Sequence, residues 1–128
     1  MFHDAISTYQ LDSVREQKPH IHATQIANSH EGLGLLYFLR GEDNAAEREW
    51  EWVRQSFLRG DFRDAASVAP ALKNLADLRL RRQDFVGARD LFAYALEVLL
   101  SDARYGEDHE RCAFLRENID AIDATLDG

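Results

Sequence analysis

The segments GLGLLYFLRGEDNAAEREWEWV, residues 32–53, and NLADLRLRRQDFVGARDLFAYA, residues 74–95, lie over each other without a gap. Leu33, Gly34, Tyr37, Gly41, Ala46, Trp50 and Val53 fall on Leu75, Ala76, Arg79, Gln83, Ala88, Phe92 and Ala95, at a constant offset of 42 residues. A partial third copy follows 44 residues after the second, with Asn118 in the place of Asn74 and Ile119 in that of Leu75. An internal repeat is a severe constraint, because each copy is one small unit that buries its apolar face against its neighbour instead of building a separate core.

Within each copy the apolar residues follow helical spacing. Leu72, Leu75 and Ala76, then Ala88, Phe92, Ala95, Leu96 and Leu99, recur at i, i+3 and i+4. With only two prolines and seven glycines in 128 residues, the composition suits helices. Each copy therefore reads as a helical hairpin, with its turn at RGED (40–43) or RQD (82–84). Small residues at 34, 46, 76 and 88 mark close helix approach. Gly34 costs about 1 kcal/mol relative to Ala inside a helix, so packing explains it better than propensity.

The elements follow. Lys18-Pro19 ends whatever precedes the repeat, so residues 1–19 form an N-terminal segment with a weak helical pattern through Ile6, Tyr9 and Val14. Residues 20–128 form the repeat domain, with repeat 1 over about 20–60, repeat 2 over about 64–104 and a capping helix over about 108–126. The first pair is His20 to Leu39 and Asp43 to Leu58. The second begins at either of two places. Ser67 caps a helix with Pro70 in its first turn, or the helix starts near Asp64 and Pro70 lies inside it. That helix runs to about Arg82, and Phe85 to Arg104 follows. The last helix starts at Asp108, read as its cap, and carries Leu115, Ile119, Ile122 and Leu126 on one stripe.

This pattern resembles the tetratricopeptide repeat, a helix-turn-helix unit with a Leu-Gly pair and an aromatic in its first helix and Ala-aromatic-Ala in its second. Leu33-Gly34, Tyr37, Gly41, Ala46 and Trp50 carry the likeness in the first copy, and Leu75-Ala76, Ala88, Phe92 and Ala95 in the second. Arg79 and Gln83 depart from it. The 42-residue period, ALKNLA and GEDHERCAFLRENI are similar to the longer variant of kinesin light chains. The resemblance, over about residues 20–126, implies an all-α, α-α superhelix whose first helices line a concave groove. It implies a non-enzymatic adaptor that binds a peptide or protein there, and no cofactor; a short groove and the ordering of the peptide set the expected affinity at about micromolar. The peptide-binding residues it points to are Glu31, Leu35 and Phe38 in the first copy, Lys73, Asn74, Asp77 and Arg81 in the second, and Asn118 in the third, with Phe114 beside it. Asn74 and Asn118 match the family's groove asparagines, whose amides both donate and accept. Glu31 stands where the carboxylate-clamp variant has Lys, which disfavours a chaperone C-terminal tail. The alternative function is self-assembly, two copies pairing through the edges of the repeat stack as a homodimer.

Charge narrows the partners. Twenty-three acidic against fifteen basic residues leave −8, which disfavours nucleic acid and anionic membranes. No run approaches the roughly 18 apolar residues of a membrane helix, and no secretory signal pattern opens the chain, so a cytoplasmic protein is expected. Lys73, Arg79, Arg81, Arg82 and Arg89 against Asp77 and Asp84 make a locally basic segment. It is either a groove end that attracts an acidic peptide or a set of ion pairs with the acidic first repeat.

No arrangement of residues suggests catalysis. His20 and His22 are about 200° apart on a helix, unlike the i, i+4 pairs that bind zinc, so no metal site is expected among the five histidines. Cys112, the one cysteine, reads as an inert, buried thiol. Trp52 points about 200° from Trp50, toward either a contact surface or a neighbouring helix.

Overall fold

Gly41 and Gln83, which the repeat register superposes, both take the left-handed backbone conformation, with φ of 78° and 63°. Each ends a helix the same way in the computed structural model, which describes the backbone of residues 12–128 and the side chains of residues 21–128. The chain is all-helical there: α1 Asp12–Leu39, α2 Asp43–Leu58, α3 Ala65–Arg81, α4 Phe85–Leu100 and α5 Glu110–Asp127. After α1, Gly41 N–H donates to the Phe38 carbonyl at 3.0 Å and Glu42 N–H to that of Tyr37 at 2.9 Å. After α3, Gln83 donates to Leu80 at 2.9 Å and Asp84 to Arg79 at 2.8 Å. This paired closure satisfies carbonyls that a helix end leaves without partners. Gly60 (φ 83°) repeats it after α2.

Three boundaries differ from the sequence reading, the starts of α1 and α5 and the end of α4, while the start of α3 takes the second of its two open readings. Helix α1 begins at Asp12 and passes through Pro19, so the expected break at Lys18-Pro19 does not occur. A proline forfeits one hydrogen bond but keeps a helical φ. The short helix expected through Ile6 and Tyr9 falls outside the described residues. In α3 the cap is Asp64, which accepts from Ala66 N–H at 3.1 Å and from the Ser67 hydroxyl at 3.2 Å. Pro70 therefore lies inside the helix, and the extra turn buries Ala65 and Val68. In α5 the cap is His109, not Asp108: its Nδ1 accepts from Arg111 N–H at 3.1 Å while its ring meets that of Tyr105 edge-on, with centroids 4.8 Å apart. Helix α4 stops at Leu100 because Ser101 and Asp102 bind local backbone instead, Ser101 Oγ donating to the Val98 carbonyl at 2.6 Å and Asp102 accepting from Arg104 N–H at 2.9 Å.

Each helix packs against the next, and α1 also touches α3. The core is fullest between α3 and α4, where Leu72, Leu75, Ala76, Ala88, Phe92 and Ala95 are buried. In the first copy Ala46, Trp50 and Val53 are buried likewise, but Leu33, the counterpart of Leu75, is 44% exposed. Leu75 has α2 before it to pack on. Leu33 has no preceding helix pair among the described residues. The Trp50 indole lies directly against the α1 backbone at Gly34, where a Cβ would overlap the ring, and its Nε1–H donates to the Glu31 carbonyl at 3.1 Å. No described helix is long and apolar enough to cross a membrane.

Gln83 is exposed, so its conformation and not its contacts sets its contribution. A left-handed L-residue costs about 1–2 kcal/mol, against about 1 kcal/mol of extra chain entropy for glycine. Gln83→Gly should therefore raise the thermal midpoint by about 2–4 °C, whereas Gln83→Ala should leave it near the wild-type value. Differential scanning calorimetry of the two variants checks this.

Candidate functional site

The open face of α3 carries Lys73, Asn74, Asp77 and Arg81, spaced so that helical geometry sets them in one stripe. Helix α1 flanks this stripe on one side. Asn74 Nδ2 donates to Glu31 Oε2 at 3.4 Å, and the Arg81 guanidinium lies over the Phe38 ring at 4.1 Å. Both contacts join residues at an offset of 43, so α1 and α3 run parallel. On the other side stands α5, whose Phe114 ring receives Lys73 Nζ at 5.7 Å. Lys73 also pairs with Asp77 at 2.9 Å, one turn along α3.

Six of the eight expected peptide-binding residues are thus gathered on or beside one helix face: Glu31, Phe38, Lys73, Asn74, Asp77 and Arg81. Leu35 is exposed farther around α1. Asn118 turns back on its own helix, its Nδ2 donating to the Phe114 carbonyl at 2.8 Å, and does not join Asn74 in a ladder. Glu31 is half-buried, and that desolvation pushes its carboxyl above the ordinary glutamate range, against the opposing pull of Lys73.

Next to Lys73, α3 and α5 diverge over α4 and leave a cleft of about 480 Å³. Its floor is Ala69, Leu99 and Leu115, and Pro70 and Phe114 form apolar walls. Lys73, Glu110 and Arg111 supply its polar rim. Ala69, Pro70 and Arg111 were not legible as site residues. Their role depends on how far α5 swings from α3, and no spacing in the sequence encodes that angle.

The basic segment forms ion pairs. Arg81 grips Asp43 with contacts of 2.8 and 3.0 Å, and Arg82 reaches Glu47 at 3.1 Å and Asn44 at 3.2 Å. Arg79 lies 3.6 Å from Glu47 and 3.7 Å from Asp84, and Arg89 bonds Asp123 of α5. The first four acceptors (Asp43, Asn44, Glu47 and Asp84) belong to α2 or the turn before α4, so these arginines tie the second hairpin to the first. They do not make an unpaired basic groove end. At this exposure such pairs orient more than they stabilise.

His30 Nδ1 hydrogen-bonds Glu49 at 2.6 Å and stacks on Trp52 with ring centroids 4.0 Å apart, leaving Trp52 36% exposed. Trp52 is thus half packed and half surface. Among the described residues no group of three or more His, Cys, Asp or Glu is placed to hold a metal ion. Cys112 is buried, and burial with nearby Glu107 pushes its thiol up, away from the reactive thiolate.

Comparison of the chain with protein-family models, curated proteins and solved structures gives no match.

Because the folded Glu31 carboxyl is raised above its unfolded value, ionising it works against folding. That penalty is absent below about pH 4, where the group is protonated in both states, and grows as pH rises through the raised value. Glu31→Gln should raise the urea midpoint at pH 7, and the gain over wild type should shrink to nothing on acidification. Urea titrations of both proteins across that range test the sign.

Proposed function

We propose that this chain is a non-enzymatic interaction adaptor of the tetratricopeptide-like kind, a short stack of two helix pairs and a capping helix, which holds an extended peptide along the open face of α3. The observation that carries the reading is the stripe Lys73, Asn74, Asp77 and Arg81 lying open between Glu31 and Phe38 on one side and Phe114 on the other, with an apolar cleft at its end. Three further features support it: the parallel course of α1 and α3, the matching turns at Gly41 and Gln83, and the tight seat of Trp50 on Gly34.

The chemistry suits a peptide. Asn74 and Lys73 are half-buried, held in place by Glu31 and Asp77, and carry donors that a peptide carbonyl can take up. The cleft beside them has room for one large apolar side chain, and the aromatic wall of Phe114 supplies the contact area. An extended segment that orders on binding loses conformational entropy, so an affinity of about 1–10 μM is expected. The net charge of −8 and the internally paired arginines count against a nucleic-acid partner.

Panning a random peptide library on the immobilised full chain tests this. Peptides selected by wild type should share a large apolar residue and should bind the Lys73→Ala/Asn74→Ala double variant at least tenfold more weakly, with its circular dichroism unchanged. Selected peptides that bind both proteins equally would move the site off α3.

A further inference from the structure

The charged side chains on and around the open face of α3 balance, with one exception. Lys73 Nζ is paired with Asp77 at 2.9 Å, and the Arg81 guanidinium with Asp43 at 2.8 Å. On the rim of the cleft Glu110 and Arg111 are neighbours of opposite sign. Glu31 is left over. Among the described residues its carboxylate is in no ion pair, and the hydrogen bond it accepts is the 3.4 Å contact from Asn74 Nδ2. Burial desolvates this group, and Lys73, already held by Asp77, offsets that only in part. A carboxylate has about four positions at which it can accept, and Asn74 takes one of them. One turn beyond Phe114 on α5 stands Glu117, exposed and in no ion pair among the described residues, so the far wall adds negative charge.

We infer that the peptide held on this face carries a lysine or arginine seated on Glu31, about three residues from the apolar side chain that fills the cleft. This deepens the adaptor reading and rests on it. Charge complementarity chooses the cation. A basic side chain at Glu31 supplies the missing counter-charge, and because the carboxylate is already half out of water the pair gains more than one formed on the open surface. An acidic segment would set like charge against Glu31 and Glu117. It would also find Lys73 and Arg81 engaged by Asp77 and Asp43, and Arg111 beside Glu110. The spacing follows from helix packing. Glu31 meets α3 on the Asn74 side, and the cleft opens on the Lys73 side. Packed helices stand about 8–10 Å apart, so about 10 Å separates the two subsites, a span of about three residues of extended chain. Asn74 lies between them, where it meets the peptide backbone. The charge that works against folding at Glu31 is thus the one that gives the face its preference.

Panning one random peptide library in parallel on the immobilised full chain, on Glu31→Gln and on Glu97→Gln separates this from the general pull of an acidic protein. Glu97 is exposed on α4, about 200° around the helix from Leu99 of the cleft floor, so its variant removes the same charge away from the face. Peptides selected by wild type and by Glu97→Gln should carry Lys or Arg about two to four residues from a large apolar residue. Those selected by Glu31→Gln should keep the apolar residue and lose the basic enrichment. A synthetic peptide from the wild-type pool should bind Glu31→Gln at least tenfold more weakly in isothermal titration calorimetry, although that variant is expected to be the more stable protein at pH 7. Replacing the peptide's own Lys or Arg by Gln should cost as much, with no further loss on Glu31→Gln. Equal basic content in the three pools, or a basic peptide that binds wild type and Glu31→Gln alike, would overturn the seat on Glu31. It would leave α3 as the peptide site as long as the Lys73→Ala/Asn74→Ala change still weakens binding. A library that yields no binder, or binders insensitive to that change as well, would overturn the adaptor reading and this inference with it.

Discussion

The seat of the Trp50 indole on α1 is the contact from which the rest of the first hairpin follows. A ring of that size packs flat against a helix backbone only where one residue lacks a Cβ, and Gly34 is that residue. The indole N–H is satisfied by the Glu31 carbonyl, so the ring is buried without an unpaired donor. This close approach fixes α2 against α1. The same segment of α1 then presents Glu31 and Phe38 to α3, where they meet Asn74 and Arg81. One packing requirement in the first repeat thereby sets the flank of the candidate site in the second.

The second hairpin is tied on by different means. Its interior is the apolar pattern of Leu72, Leu75, Ala76, Ala88 and Phe92, and its orientation relative to α2 is held by Arg79, Arg81 and Arg82 on Asp43, Asn44 and Glu47. Exposed ion pairs contribute little energy each, but several along one seam disfavour sliding of the hairpins, since every slip separates more than one pair. Arg81 has two contacts at once, Asp43 by charge and Phe38 by its planar face, a combination that lysine would not reproduce.

Most of the helical framework was legible because it rests on periodicity and repetition. The overlay of Gly41 on Gln83 anticipated two turns of one geometry, although Gln is a poor residue for it, and the spacing of Ala46, Trp50 and Val53 anticipated their burial. What stayed hidden depends on competition between near-equal local signals or on tertiary angles. Asp64 and Ser67 both cap helices, and the choice fell to the start that buries Ala65 and Val68. His109 took the cap from Asp108 because Tyr105 supports its ring. At the site, the family resemblance pointed to Lys73, Asn74, Asp77 and Arg81, and the ion-pair reading of the basic segment covered Arg81 on Asp43, but nothing in the sequence told that Asn118 folds back on Phe114. Those outcomes, and the cleft under Phe114, are set by how α2 and α5 lie against α3.

The proposed partner surface is the face of α3 between α1 and α5. The most direct measurement is a titration of the isotope-labelled full chain with a library-selected peptide, followed by amide and side-chain resonances. The account predicts saturable shifts at the Asn74 side-chain amide, the backbone of Lys73 and Asp77, and the Phe114 ring, with Trp52 and the outer face of α1 unmoved. Shifts confined to Trp52 or to Leu36 and Leu39, with Asn74 and Phe114 silent, would contradict it.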